Sequence, residues 1–155
     1  MDLTEIYGLP AHLIRRSQQI AVSLFFEECR DFGITSIQFG TLCVICERRE
    51  LEQYALANML ALDRSNVGDV VARLEDRGLI GRRRGTVDRR TKLLFPTPAG
   101  EALVKEMEAA VLRANARVLA PLDQDERAAF MSMLAKLVDI NNDHSRAPLR
   151  PTRAG

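Results

Sequence analysis

At 155 residues the chain is long enough for one domain with a substantial core, and its 46% hydrophobic and 28% charged residues are those of an ordinary soluble globular protein. Three cysteines are too few, and odd in number, for a disulfide framework. No apolar run reaches membrane-spanning length and no signal peptide is expected, so the reading is a cytoplasmic protein with no membrane partner. A net charge of +1 points to no partner by itself.

Pro10 suits the first position of a helix, which is expected to run from about Ala11 to Asp31 and to stop before Gly33. Its middle, Ile20–Phe26 (IAVSLFF), is apolar almost all round. That implies burial on more than one side, most economically at a subunit interface. Thr35 and Gln38 have capping-box spacing and open a second helix, with Phe39, Leu42, Cys43 and Cys46 on one face and the charged run Glu47–Glu52 at its solvated end. Gln53–Leu60 reads as a short helix and Ala61–Leu62 as a turn. A further helix then spans Arg64–Arg77, with Asp63 as N-cap and Gly78 at the stop position.

In that helix Val67, Val70, Val71 and Leu74 face the core, while Ser65, Asn66, Gly68, Asp69 and Arg73 form the opposite face. Its length, about 20 Å, suits a DNA major groove. Leu79–Arg83 and Lys92–Phe95 read as strands around an arginine-rich loop, Arg84–Thr91. Thr97 caps a helix that begins at Pro98 and breaks at Pro121. Asp123 and Glu126 open a last helix to about Ile140, with Phe130, Met133, Leu134, Leu137 and Val138 as its apolar stripe. From Asp143 onward there is no periodicity, and disorder is expected.

The fold class is therefore mainly α with a small β-wing: a winged helix-turn-helix over residues 35–97, flanked by an N-terminal dimerisation helix (1–34) and C-terminal dimerisation helices (98–142), with a tail at 143–155, all in one domain. Charge supports the reading. From Arg64 to Lys92 there are nine Lys/Arg against four acids, while the remainder carries thirteen basic and seventeen acidic groups. A basic face on an otherwise acidic chain is the footprint of a DNA binder. Arg82–Arg84 precede a turn at Gly85, and Asp88-Arg89-Arg90 follows. Guanidinium groups so crowded repel one another unless an anion is near, and they fit both the minor groove and phosphate. Asp88 would hold a neighbouring arginine; the alternative is a solvated hairpin.

The run LANMLALDRSNVGDVVARLEDRGLI, with RRRGTVDRRTKLLFPTPAG after it, resembles the winged helix-turn-helix of the MarR family of bacterial transcriptional regulators. The matching elements are Leu56-Ala57, Leu62-Asp63-Arg64-Ser65, Leu74, Arg77-Gly78-Leu79, Asp88-Arg89-Arg90 and Pro96-Thr97-Pro98-Ala99-Gly100, and the helix order extends the likeness from about Ala11 to Ile140. The resemblance implies a homodimer held by the terminal helices and bound to a pseudo-palindromic operator in double-stranded DNA, with half-sites about 34 Å apart. It assigns recognition to Arg64, Ser65, Asn66, Gly68, Asp69 and Arg73, and the wing contact to Arg89 or Arg90; Arg84, from the arginine-rich loop, is a further candidate DNA contact. Many members have Thr, Ser or Arg where this chain has Gly68 and Asp69. A carboxylate there can accept from a cytosine amine but not approach phosphate favourably. The resemblance also implies a small effector, an aromatic acid or its thioester, between the terminal helices and the winged region. His12, Arg15 and Arg16 are the candidates to meet its carboxylate, against the alternative of a solvated helix start.

Cys43-x-x-Cys46 lies on the apolar stripe of its helix, and no second such pair or histidine pair completes a metal site, so neither metal nor cofactor is expected. Nor is there a nucleophile–base pairing or phosphate loop, and His144 stands in the tail, so the chain does not read as an enzyme. The expected function is a ligand-responsive repressor. One alternative is a thiol-based oxidant sensor using Cys29, Cys43 or Cys46, since the family includes a peroxide-sensing branch with a cysteine in its first helix. The other is a winged-helix protein-interaction module that binds no DNA.

Overall fold

The computed structural model describes residues 2–85 and 92–150 and, of Arg64, only the main chain. A short helix, α1 (Leu3–Gly8), opens the chain on a capping box between Asp2 and Glu5. Then α2 runs over Pro10–Cys29. It ends two residues earlier than its pattern predicts, because Arg30–Phe32 tightens into a 3-10 turn that closes on Gly33 in the left-handed region, φ 65°. In α3 (Ser36–Arg48) the expected capping box is present, Thr35 N–H donating to Gln38 Oε1 at 2.8 Å.

The buried residues of α3 are Gln38, Thr41, Leu42 and Ile45, whereas Phe39, Cys43 and Cys46 are half-buried. The helix packs against α4 (Gln53–Leu60), α5 (Arg64–Asp76) and α6 (Pro98–Val118), so it is enclosed on more than the one stripe its apolar spacing marks. Thr41 tolerates burial because its hydroxyl donates to the Ile37 carbonyl at 2.8 Å. The charged run after α3 is only partly solvated. Leu51–Glu52 forms a strand, β1, with Leu51 buried opposite Leu94. A single leucine between charged neighbours carries too little pattern to reveal this.

Strand β2 (Ile80–Arg84) lies one residue later than expected at both ends and β3 (Lys92–Pro96) extends one residue further than expected, and they complete an antiparallel sheet in the order β1-β3-β2. The register pairs Ile80 with Pro96, Arg82 with Leu94 and Arg84 with Lys92. Leu42, Ile45, Leu56, Val67, Val71, Leu74, Leu94 and Met107 form the fully buried centre. Gly100 lets α6 start against β2, since a Cβ there would run into the Leu79 carbonyl and press on Leu42.

Beyond this core α2 lies along α6. Phe25 and Cys29 of the one helix and Met107, Ala110 and Ala114 of the other are buried, and the Phe25 and Phe39 rings stand 6.2 Å apart. The last helix, α7 (Gln124–Asn141), keeps its predicted capping box at Asp123 and Glu126 but contains no buried residue. After it the structure departs from the expected disorder. Asn142–His144 makes a 3-10 turn, the Asn142 side chain bonds both the N–H and the carbonyl of Leu149, and Arg150 N–H donates to the Asn58 carbonyl at 2.8 Å. No helix among the described residues is long and apolar enough to cross a membrane.

Candidate nucleic-acid interface

The turn between α4 and α5 is made by Ala61 in the left-handed region, φ 51°, with Leu62 N–H returning to the Ala57 carbonyl at 3.1 Å. Asp63 takes the N-cap position of α5 but not the capping hydrogen bond; its carboxylate lies 3.9 Å from Arg146 Nη2 instead. From there α5 buries Val67, Val71 and Leu74, with Val70 half-buried, which turns Ser65, Asn66, Asp69 and Arg73 outward into solvent. Gly68 sits among them half-buried; a Cβ there would meet only Gln53 Nε2 at 3.7 Å, so packing does not demand glycine. All five non-arginine-64 positions predicted for recognition thus share one accessible face. Gly78 ends the helix with φ 69°, its N–H bonded to the Glu75 carbonyl at 2.8 Å, and Leu79 N–H returns to Leu74 at 3.0 Å.

The arginines of the basic window divide into two groups. Arg77 donates to the Gly33 carbonyl at 2.6 Å and the Phe32 carbonyl at 2.9 Å, fastening the end of α5 to the α2–α3 connection. Arg82 Nε lies 2.7 Å from a Glu75 carboxylate oxygen, a close ion pair between β2 and α5, and Arg83 pairs with Glu50. These three cations hold the winged region together. Sequence reasoning missed that role, because each partner is brought in by tertiary packing rather than by spacing. Arg73, Arg84 and Lys92 are exposed, as are Arg77 and Arg83, but by contrast make no ion pair among the described residues. The predicted wing contacts Arg89 and Arg90 and the supporting Asp88 lie outside the described residues, as does the Arg64 side chain.

The predicted effector residues lie at the start of α2. The half-buried His12 ring rests 5.3 Å from that of Tyr7, Arg15 Nη2 stands 3.5 Å from His12 Nδ1, and Arg15 and Arg16 both donate to Gln19 Oε1, at 3.1 and 3.0 Å. The two arginines edge an open hollow of about 820 Å³ along α2. A second hollow, of about 360 Å³, opens between α3 and α6; Phe39, Cys43, Val104, Val111 and Leu112 make its apolar wall, joined by Lys105 and Glu108. The cysteine spacing had marked one residue of this wall but not the wall itself.

Burial raises the pKa of all three thiols, with Glu28 adding to the effect at Cys29 and Glu101 at Cys46. Among the described residues no three His, Cys, Asp or Glu side chains converge as metal ligands would.

A helix, a tight turn and a second helix with a polar outer face, backed by a three-stranded sheet whose hairpin carries arginines, define a winged helix-turn-helix DNA-binding protein. A MarR family profile matches residues 34–92. The chain is also 30% identical over 142 residues to the HTH-type transcriptional repressor NicR of Pseudomonas putida, an alignment that spans 92% of this chain and 88% of NicR. The chain belongs to the MarR family of DNA-binding transcriptional regulators. Solved structures agree. BpsR of Bordetella bronchiseptica, whose DNA binding is regulated by 6-hydroxynicotinic acid, is 30% identical with a TM-score of 0.81, over 86% of this chain and 95% of that one. PcaV of Streptomyces coelicolor, solved in complex with its natural ligand, is 32% identical with a TM-score of 0.77, over 90% of this chain and 96% of that one.

Proposed function

We propose that this regulator is a dimeric, cytoplasmic repressor that a small aromatic acid releases from its operator, acting by binding alone and catalysing no reaction. The observation that carries the DNA-binding face is the outward set Ser65, Asn66, Gly68, Asp69 and Arg73 on α5, beside Arg84 and Lys92, cations that make no ion pair among the described residues. These residues and Arg64 enter the major groove, and Arg84, Arg89 and Arg90 reach phosphate or the minor groove, with Asp88 steadying the wing. Asp69 favours a cytosine amine at its position, and Gly68 leaves room for a base edge to come close. Residues 35–97 form the DNA-binding region, and residues 1–34 and 98–142 join two copies.

The dimer follows from an imbalance of burial. Tyr7, Leu13, Ile14, Val22 and Phe26 of α1 and α2 are exposed in the single chain, as are Met133, Leu137, Val138 and Ile140 of α7. So continuous an apolar surface on a helix that touches little of its own chain needs a second copy to cover it.

The effector reading draws on the 6-hydroxynicotinic acid response of BpsR and on the apolar hollow between α3 and α6, which suits an aromatic ring. His12, Arg15 and Arg16 supply hydrogen-bond donors, and the two arginines positive charge, for its carboxylate. Arg15 and Arg16 edge the open hollow along α2, and Arg16 stands about 17 Å along that helix from Glu27, which pairs with α6.

The test is release from DNA. Fluorescence anisotropy of the protein on its own upstream duplex, titrated with 6-hydroxynicotinic acid and a panel of benzoic and hydroxycinnamic acids, should show one acid lowering affinity at least tenfold, an effect reduced in Arg16→Ala. If no aromatic acid changes DNA affinity, the effector class is wrong. If the wild type shows no salt-dependent DNA binding at all, the regulator reading fails.

A further inference from the structure

The chain after α7 does not trail away but returns to the helix-turn-helix. Asn142 clasps Leu149 through both its amide oxygen (2.8 Å) and its amide nitrogen (3.2 Å), and the Arg150 N–H is bonded to the Asn58 carbonyl at 2.8 Å. This seats the segment Ser145–Arg150 beside the α4–α5 turn. There Arg146 and Arg150 share a polar cleft of about 570 Å³ with Tyr54, Asn58, Asp63 and Ser65. Ser65 belongs to the first turn of α5, the end of a recognition helix that enters the groove.

We infer that this carboxy-terminal segment is part of the DNA interface, with Arg146, supported by Arg150, taking backbone phosphates beside the start of α5. The inference rests on the DNA-binding reading of α5. Its own support is positional and electrostatic. The Arg146 side chain is 91% exposed, and its nearest anion, Asp63, is 3.9 Å away. An exposed pair at that distance holds a guanidinium only weakly, so a phosphate competes easily for it. Asp63 is also a liability on a DNA-facing turn, because its carboxylate makes no capping hydrogen bond and would repel a phosphate. Arg146 offsets that charge where it matters. Arg150 is held more firmly, its Nη2 lying 2.8 Å from Asp143, and it helps to keep the segment in place. Contacts of this kind add affinity and register but no base preference.

The experiment uses the full-length chain, with Arg146→Ala, Arg146→Lys and, as a reference on the wing, Arg84→Ala. Anisotropy is measured across a potassium chloride series on two duplexes of about 30 base pairs, long enough for two half-sites one turn apart; one comes from the chain's own upstream region and the other has mixed sequence. Arg146→Ala should weaken binding to both duplexes by the same factor, about 3- to 10-fold, and reduce the slope of log K against log salt by about one. Arg146→Lys should retain most of the affinity, and thermal melting should be unchanged because the side chain is exposed. Unchanged affinity and slope in Arg146→Ala, while Arg84→Ala weakens binding, would overturn the inference and leave the DNA-binding reading standing. Tighter binding in Arg146→Ala would also overturn it, by showing that the segment competes with DNA. A wild type that binds neither duplex with steep salt dependence would remove both.

Discussion

Arg77 and Arg84 stand seven residues apart in the same basic window and do opposite work. The first gives its guanidinium to two main-chain carbonyls at the α2–α3 connection, while the second is exposed and without an ion pair among the described residues. Removing Arg77 leaves those carbonyls to water and frees the end of α5, which should cost about 1–3 kcal/mol. Removing Arg84 should leave stability within about 0.5 kcal/mol. Urea unfolding of Arg77→Ala and Arg84→Ala, paired with DNA titrations against salt, checks both. Arg84→Ala should lose affinity with a slope smaller by about one. A destabilised Arg84→Ala would show that the division is wrong.

The cysteines are also decided at the scale of single residues. Burial is the main cause that raises each thiol's pKa, so the reactive thiolate is scarce near neutral pH. The Cys29→Ala, Cys43→Ala, Cys46→Ala triple variant should repress and respond to effector as the wild type does, and dilute hydrogen peroxide should not change DNA binding. Peroxide-dependent release that disappears in the triple variant would restore the oxidant-sensor reading.

At the scale of elements, the joint between α2 and α6 is both apolar and ionic. Over the buried Phe25 and Cys29, Glu28 accepts from Arg113 at 2.9 Å and Arg117 at 3.0 Å, and Arg117 also donates to Glu27 at 2.8 Å. The hydrogen bonds from Arg113 and then Arg117 hold the Glu28 carboxyl below its ordinary pKa. A carboxyl with a lowered folded-state pKa stabilises above the pH at which the unfolded chain's glutamate titrates, and that contribution is lost as pH falls through the lowered value. Wild-type melting temperature should therefore exceed that of Glu28→Gln near neutral pH, and the gap should close in acid, below about pH 4.3 where free glutamate protonates. A gap that is constant with pH would mean the bonds do not depend on the charge.

Element starts were the most legible feature of the chain. The capping boxes at Thr35/Gln38 and Asp123/Glu126 involve residues three apart, and each formed as its spacing implied. Strand β1 was not legible, because Leu51 is buried only by pairing across to Leu94, more than forty residues away. The same holds for the segment after α7, whose anchor is a main-chain carbonyl at Asn58.

For the whole molecule, the telling feature is a last helix that buries nothing within its own chain, with Ile140 68% and Met133 60% exposed, together with a second uncovered surface that includes Phe26 at 69%. Covering these faces is worth far more than leaving them wet, at about 25 cal/mol for each Å² of apolar area. Ile140→Asp with Phe26→Asp should bring the mass seen by analytical ultracentrifugation down to that of one chain. Operator affinity should collapse too, since two half-sites are then no longer bound together. A double variant that remains dimeric would place the subunit interface elsewhere.

Local order and partition were written in the sequence. Helix starts, the turn residues, the core face of α5 and the surplus of positive charge around it all depend on residues close together in the chain. Tertiary structure alone decided which charges found a partner within the chain. Arg77, Arg82 and Arg83 count as cations in any sequence sum, but packing brings each to a carbonyl or carboxylate of its own chain. The same packing drew Arg146 back beside Ser65 from a tail with no pattern of its own. A charge can be counted from sequence, but its availability depends on what the fold places within about 4 Å of it.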